Sequence, residues 1–81
     1  MNIDNIASRA MEGTMTGRNL VRLIRRHGGV TIRQKGSHIV MRLGTCLTTV
    51  PVHGMRDLPA GTLRAIERDL APCVGRVRWV A

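Results

Sequence analysis

The sequence predicts an α+β fold in which a three-stranded antiparallel sheet carries two helices on one face. Three observations predict it. Apolar residues recur with a helical period near each end of the chain, the period changes to two between those segments, and short turn signals divide the period-two stretch. With 81 residues the chain has room for one small domain and no second one.

The first 15 residues space Ile3, Ile6, Ala7, Ala10 and Met11 as a short amphipathic helix would, before Gly13 breaks the pattern. They are expected to be an N-terminal extension, helical or disordered. The first firm helix opens at Thr16 or Gly17, either of which can cap it, and runs through NLVRLIRRH. Leu20, Leu23, Ile24 and His27 share one face, with Arg18, Arg22, Arg25 and Arg26 mostly on the other. Gly28 and Gly29 end it, since glycine takes the left-handed conformation after a helix without steric penalty.

Two strands follow. In the first, Val30, Ile32 and Gln34 alternate with Thr31, Arg33 and Lys35; in the second, Ile39, Met41 and Leu43 alternate with His38, Val40 and Arg42. Gly36 and Ser37 form the tight turn between them. If the apolar set of each strand faces the helices, Arg33, Lys35, His38 and Arg42 gather on the open face.

A third strand, CLTTVPV, begins after the Gly44-Thr45 turn, and Pro51 marks its end or an edge position. Its inward face is not assignable from the pattern. The second helix starts at Asp57 or a neighbour, tolerates Pro59 in its first turn, buries Leu63, Ile66 and Leu70, and is expected to stop at Pro72. Residues 73–81 form a tail that alternates like a fourth strand, with Trp79 expected to pack on the core. The domain proper is thus expected over residues 16–72. The order helix, strand, strand, strand, helix is that of the double-stranded RNA-binding fold.

Charge points to a polyanion. Lys and Arg number 13 against five Asp and Glu, a formal charge of +8, and no carboxylate occurs between Gly13 and Arg56. Trp79 is the only aromatic residue. Folds that stack bases on aromatic platforms are therefore disfavoured, and a reader of phosphate shape or a phosphodiester-cutting enzyme fits better.

Cys46 and Cys73 lack metal-type spacing and are expected to be two reduced cysteines of a cytoplasmic protein. No stretch is long and apolar enough to span a bilayer, and no membrane association is expected.

The chemistry left open is narrow. A two-metal nuclease needs several acidic ligands, whereas after residue 12 only Asp57, Glu67 and Asp69 remain, in or beside the second helix. His27, His38, His53 and the cysteines show no zinc spacing, so neither metal nor cofactor is expected. RNA cleavage without metal needs a base for the 2′-hydroxyl and cations for the phosphorus-bound charge. His38 among Arg33, Lys35 and Arg42 supplies both, because histidine, with an ordinary pKa of about 6.5, is partly neutral near neutral pH.

The strings RQKGSHIVMR, TVPVH and GTLRAI, in this order and at these spacings, resemble the HicA family of bacterial toxins over residues 16 to about 71. The resemblance implies a small mRNA interferase with a double-stranded RNA-binding-like fold, a catalytic histidine at His38 after Gly36 and Ser37, and a cognate HicB-like antitoxin that binds and blocks it. Ile39 and Met41 stand where many members carry polar and aromatic residues, and the loop at Leu43-Gly44-Thr45 is short.

The expected site is therefore His38 as general base, with Arg33, Lys35, Ser37 and Arg42 on RNA phosphate and His53 in a loop-organising or RNA-supporting role. A non-catalytic module of the same fold that holds structured RNA is the competing reading. A DNA-binding regulator fits less well, because no recognition helix follows the first helix after a short turn.

Overall fold

In the computed structural model, which describes residues 15–74, the order is α1 (Gly17–Arg26), β1 (Val30–Lys35), β2 (His38–Leu43), β3 (Cys46–Pro51) and α2 (Ala60–Val74). The strands form one antiparallel sheet in the order β1-β2-β3. Both helices lie against β3, and α2 also reaches β2. This is the α+β, double-stranded RNA-binding-like arrangement that the element order predicts.

Local chemistry explains α1. The Thr16 hydroxyl accepts from the Asn19 amide at 3.1 Å, satisfying one of the donors that a helix start leaves without an internal partner. Arg25 and Arg26 sit in the last turn, where cations oppose the helix dipole favourably. Gly28, at φ +94°, closes a Schellman motif: its amide donates to the Arg25 carbonyl at 3.0 Å and that of Gly29 to the Ile24 carbonyl at 2.9 Å. His27, assigned by spacing to the apolar face, is instead the exposed C-cap, its Nδ1 3.1 Å from the Leu23 carbonyl oxygen.

The core lies between the helices and the covered sheet face. Ile24, Met41, Val50 and Leu70 are its fully buried centre, surrounded by Leu20, Leu43, Leu58, Leu63 and Ile66. Burying one such side chain contributes about 1.5–3 kcal/mol. The β2–β3 register pairs Ile39 with Val50, Met41 with Thr48 and Leu43 with Cys46, which settles the inward set of β3 as Cys46, Thr48 and Val50. Thr48 is buried, and its hydroxyl donates to the Asp69 carboxylate of α2 at 2.9 Å.

β1 departs from simple alternation. All six of its residues are exposed, and Val30 and Ile32, expected to face the helices, are 45% and 46% accessible. A bulge between Thr31 and Arg33 leaves Ile32 unpaired. One extra residue in a strand reverses the faces on one side of it. Val30 consequently lies opposite Arg42 on the open face, while Thr31 lies opposite Met41 on the covered face and receives a 2.8 Å hydrogen bond from the Arg25 guanidinium.

The domain edges also differ from expectation. Met15, assigned to the N-terminal extension, is buried, and its carbonyl accepts from the Leu58 amide at 2.7 Å. Thr16 and Asp57 form an isolated bridge beside it, so this short extended pairing keeps Asp57 out of the helix, and α2 starts at Ala60. α2 does not stop at Pro72 but continues to Val74. Proline gives up its own hydrogen bond and crowds the carbonyl four residues earlier, but the next residue, Cys73, is anchored to the sheet.

That anchor is a disulfide. Cys46 and Cys73, expected to be reduced, are bonded, with Cα atoms 6.1 Å apart. β3 begins, and α2 ends, at the same corner of the molecule, which spacing of 27 residues in sequence does not reveal. Residues 1–14, expected to be an extension, and the tail from residue 75, Trp79 included, lie outside the described residues.

Candidate RNA-cleaving site

The tight turn at Gly36-Ser37 sets the site. Gly36, at φ +59°, allows Lys35 to pair directly with His38, and residues directly opposite in a ladder share a face. Arg33 pairs with Val40 and Arg42 with Val30. His38, Val40 and Arg42 alternate with the covered Ile39, Met41 and Leu43, so Arg33, Lys35, His38 and Arg42 do occupy the open sheet face.

They are not equidistant. Lys35 is directly across from His38, and Arg33 is one row further, whereas Arg42 lies four residues along β2, roughly 13 Å at the rise of a strand. The register therefore puts one cation in the row of the imidazole, a second one row along and the third two rows along. Ser37 contributes through its backbone: its carbonyl accepts from the Val52 amide at 2.7 Å, fastening the chain after β3 to the turn before β2.

That fastening carries His53 to the site. Its ring centroid is 6.2 Å from that of His38, with the planes nearly perpendicular at 85°. Both rings are exposed. Behind this approach stands Gly17, packed so closely on the Pro51 carbonyl and the Val52 backbone that a Cβ would overlap them. The Arg56 amide donates to the His53 carbonyl at 3.0 Å, with Gly54 at φ +58° in the turn so formed. A pocket of about 260 Å³ opens beside this turn, lined among others by His53, Arg56, Asp57 and Thr62.

Neither Arg56 nor the proximity of His53 was assigned from the sequence. A signal existed, because the Gly44-Thr45 turn pairs Leu43 with Cys46 and, counting outward along both strands, His38 with Pro51. Residue 53 then falls just past the end of β3, near the His38 end of β2.

Among the described residues, no three His, Cys, Asp or Glu side chains converge as metal ligands would. No described helix is long and apolar enough to cross a membrane.

The fold and this face together define a small, double-stranded RNA-binding-like domain with an exposed histidine in a cationic row. The family model described as HicA toxin of bacterial toxin-antitoxin matches residues 17–71, and the chain belongs to that family. It is accordingly the toxin side of such a pair, which implies a cognate antitoxin as partner. No curated protein and no solved structure matches the chain.

Proposed function

We propose that the chain is a metal-independent endoribonuclease that cleaves mRNA and is held inactive by a cognate HicB-like antitoxin in the cytoplasm. One observation carries the reading: in a chain of the HicA family, His38 shares an open sheet face with Lys35, directly across from it, and with Arg33 one row along.

RNA brings its own nucleophile. His38, as base, takes the proton of a 2′-hydroxyl, whose oxygen then attacks the adjacent phosphorus. Lys35 and Arg33 neutralise the charge that builds on the phosphoryl oxygens, and such stabilisation is worth most in the transition state. Arg42, further along β2, suits a neighbouring phosphate. Ser37 serves by holding the turn. None of these contacts reads a base, so this face is expected to give little sequence preference. The chemistry calls for no cofactor.

The test is inducible expression of the wild-type chain and of His38→Ala, with purified proteins assayed on RNA. Wild type is expected to arrest growth and cut RNA, co-expressed antitoxin to relieve the arrest, and His38→Ala to do neither while still binding RNA. Equal arrest and equal RNA degradation by both proteins would sink the assignment of His38. RNA that stays intact with wild type, yet is bound in a salt-sensitive way, would establish the RNA-holding module instead.

A further inference from the structure

A base alone leaves half of the cleavage unassisted. When the P–O5′ bond breaks, the departing 5′-oxygen is a strongly basic alkoxide unless a proton reaches it. None of the cations assigned to phosphate is suited to that transfer, since arginine does not deprotonate in proteins and Lys35 is committed to the phosphoryl oxygens. His53 stands 6.2 Å from His38 and has no other task in the reading above.

We propose that His53 is the general acid of the reaction, protonating the leaving 5′-oxygen while His38 removes the 2′-proton. The inference rests on the ribonuclease reading of the same site. Three features support it.

Reach comes first. An imidazole nitrogen bonds an oxygen at about 2.8 Å, so two rings 6.2 Å apart can both touch the oxygens of a single phosphodiester. The nearly perpendicular arrangement keeps the rings from stacking face to face on each other. Both rings are exposed, so a polymer can reach them.

Placement is the second. His53 is held by main chain on both sides: the Val52 amide bonds the Ser37 carbonyl beside His38, and the His53 carbonyl accepts from Arg56. A proton donor fixed by neighbouring backbone bonds needs little reorganisation when charge develops.

The third feature assigns the two roles. His53 lines the 260 Å³ pocket with Arg56, Asp57 and Thr62, and His38 does not. A nucleoside seated there brings its 5′-oxygen to His53, and the side chains around it offer both donors and an acceptor to a base. His38 is left facing the 2′-hydroxyl of the preceding nucleotide, next to Lys35.

The proton count closes. His38 gains a proton as the O2′–P bond forms, His53 loses one as the P–O5′ bond breaks, and exchange with water restores both. The products are a 2′,3′-cyclic phosphate and a 5′-hydroxyl.

A sulfur substitution separates the two histidines. An RNA oligonucleotide is cut by wild type, the cut is mapped, and the same oligonucleotide is made with a bridging 5′-sulfur at that linkage. A thiolate leaves readily without a proton, so only loss of the acid should be rescued. We expect His53→Ala to slow cleavage of the natural linkage by about 10²–10⁴-fold and to return to within about tenfold of wild type on the sulfur linkage. His38→Ala should be slow on both. Thermal melting should be unchanged in both variants, since both side chains are exposed.

The acid role is overturned if His53→Ala cuts the natural linkage at the wild-type rate, if it is equally slow on both linkages, or if sulfur rescues His38→Ala instead. In each of those cases wild type still cuts RNA, so the ribonuclease reading stands. Failure of wild type to cut either substrate refutes the ribonuclease reading and the acid together.

Discussion

The Cys46–Cys73 bond should supply a large fraction of the stability of this domain. It closes a loop of 27 residues between the start of β3 and the end of α2. Cross-linking a loop of that size removes unfolded-state entropy worth roughly 3.5 kcal/mol at 25 °C. A chain of 81 residues has only about 4–12 kcal/mol of total stability. The perturbation is reduction, or the double variant Cys46→Ser with Cys73→Ser, which leaves the core centre of Ile24, Met41, Val50 and Leu70 intact. The assay is urea unfolding followed by far-ultraviolet circular dichroism. For a slope near 1 kcal/mol/M, the midpoint should fall by about 3.5 M. The slope itself should rise, because the uncrosslinked chain unfolds to a more open ensemble. A midpoint that moves by less than about 0.5 M under both treatments would refute this reasoning. It would mean that α2 is already held by its packing and that the bond constrains nothing.

Other contacts make further predictions. Gly17→Ala forces a methyl into the Pro51 carbonyl and should cost about 1–3 kcal/mol in chemical denaturation, with RNA cleavage falling further than stability because Val52 and His53 are displaced. Leu70→Ala empties a fully buried position and should cost about 2–5 kcal/mol by the same measurement. Thr48→Val removes the bond to the Asp69 carboxylate and should cost about 1.5–3 kcal/mol; a neutral result would show that Asp69 finds solvent at no cost. Lys35→Ala should weaken RNA binding similarly for all sequences and lower the salt slope by about 1, a change read from binding isotherms at several salt concentrations.

The helices, the hairpin and the shared face of His38, Arg33, Lys35 and Arg42 were legible because each depends on local periodicity and on a two-residue turn. What was not legible depends on counting across space. The bulge at Ile32 leaves the apolar alternation of the sequence intact and changes only which partner each residue meets, so Val30 was assigned to the wrong face. The disulfide needs the corner where β3 starts and α2 ends, and the burial of Met15 needs the loop segment at Leu58 beside it. Pro72 was read as a stop because proline disfavours the helix around it, whereas the bond from Cys73 to Cys46, which the spacing does not reveal, ties the next residue to the sheet. His53 was named as a candidate, but its place beside His38 needed the strand register to be counted outward from the Gly44-Thr45 turn.

The bulge also governs how the chain can change in length. Val30 and Thr31 keep Arg42 and Met41 as partners, and Arg33, Gln34 and Lys35 keep Val40, Ile39 and His38, with Ile32 opposite nothing. Deleting Ile32 would thus turn the hairpin into a regular ladder without moving any cation to another face or row. The distance in sequence from α1 to His38 is not fixed by the sheet, and one residue can be lost from it at this point. Between Arg33 and His38 there is no such slack, since every residue outside the turn has a partner. An alignment gap in this hairpin belongs at Ile32, and the spacing that matters to the chemistry is counted from Arg33 onward.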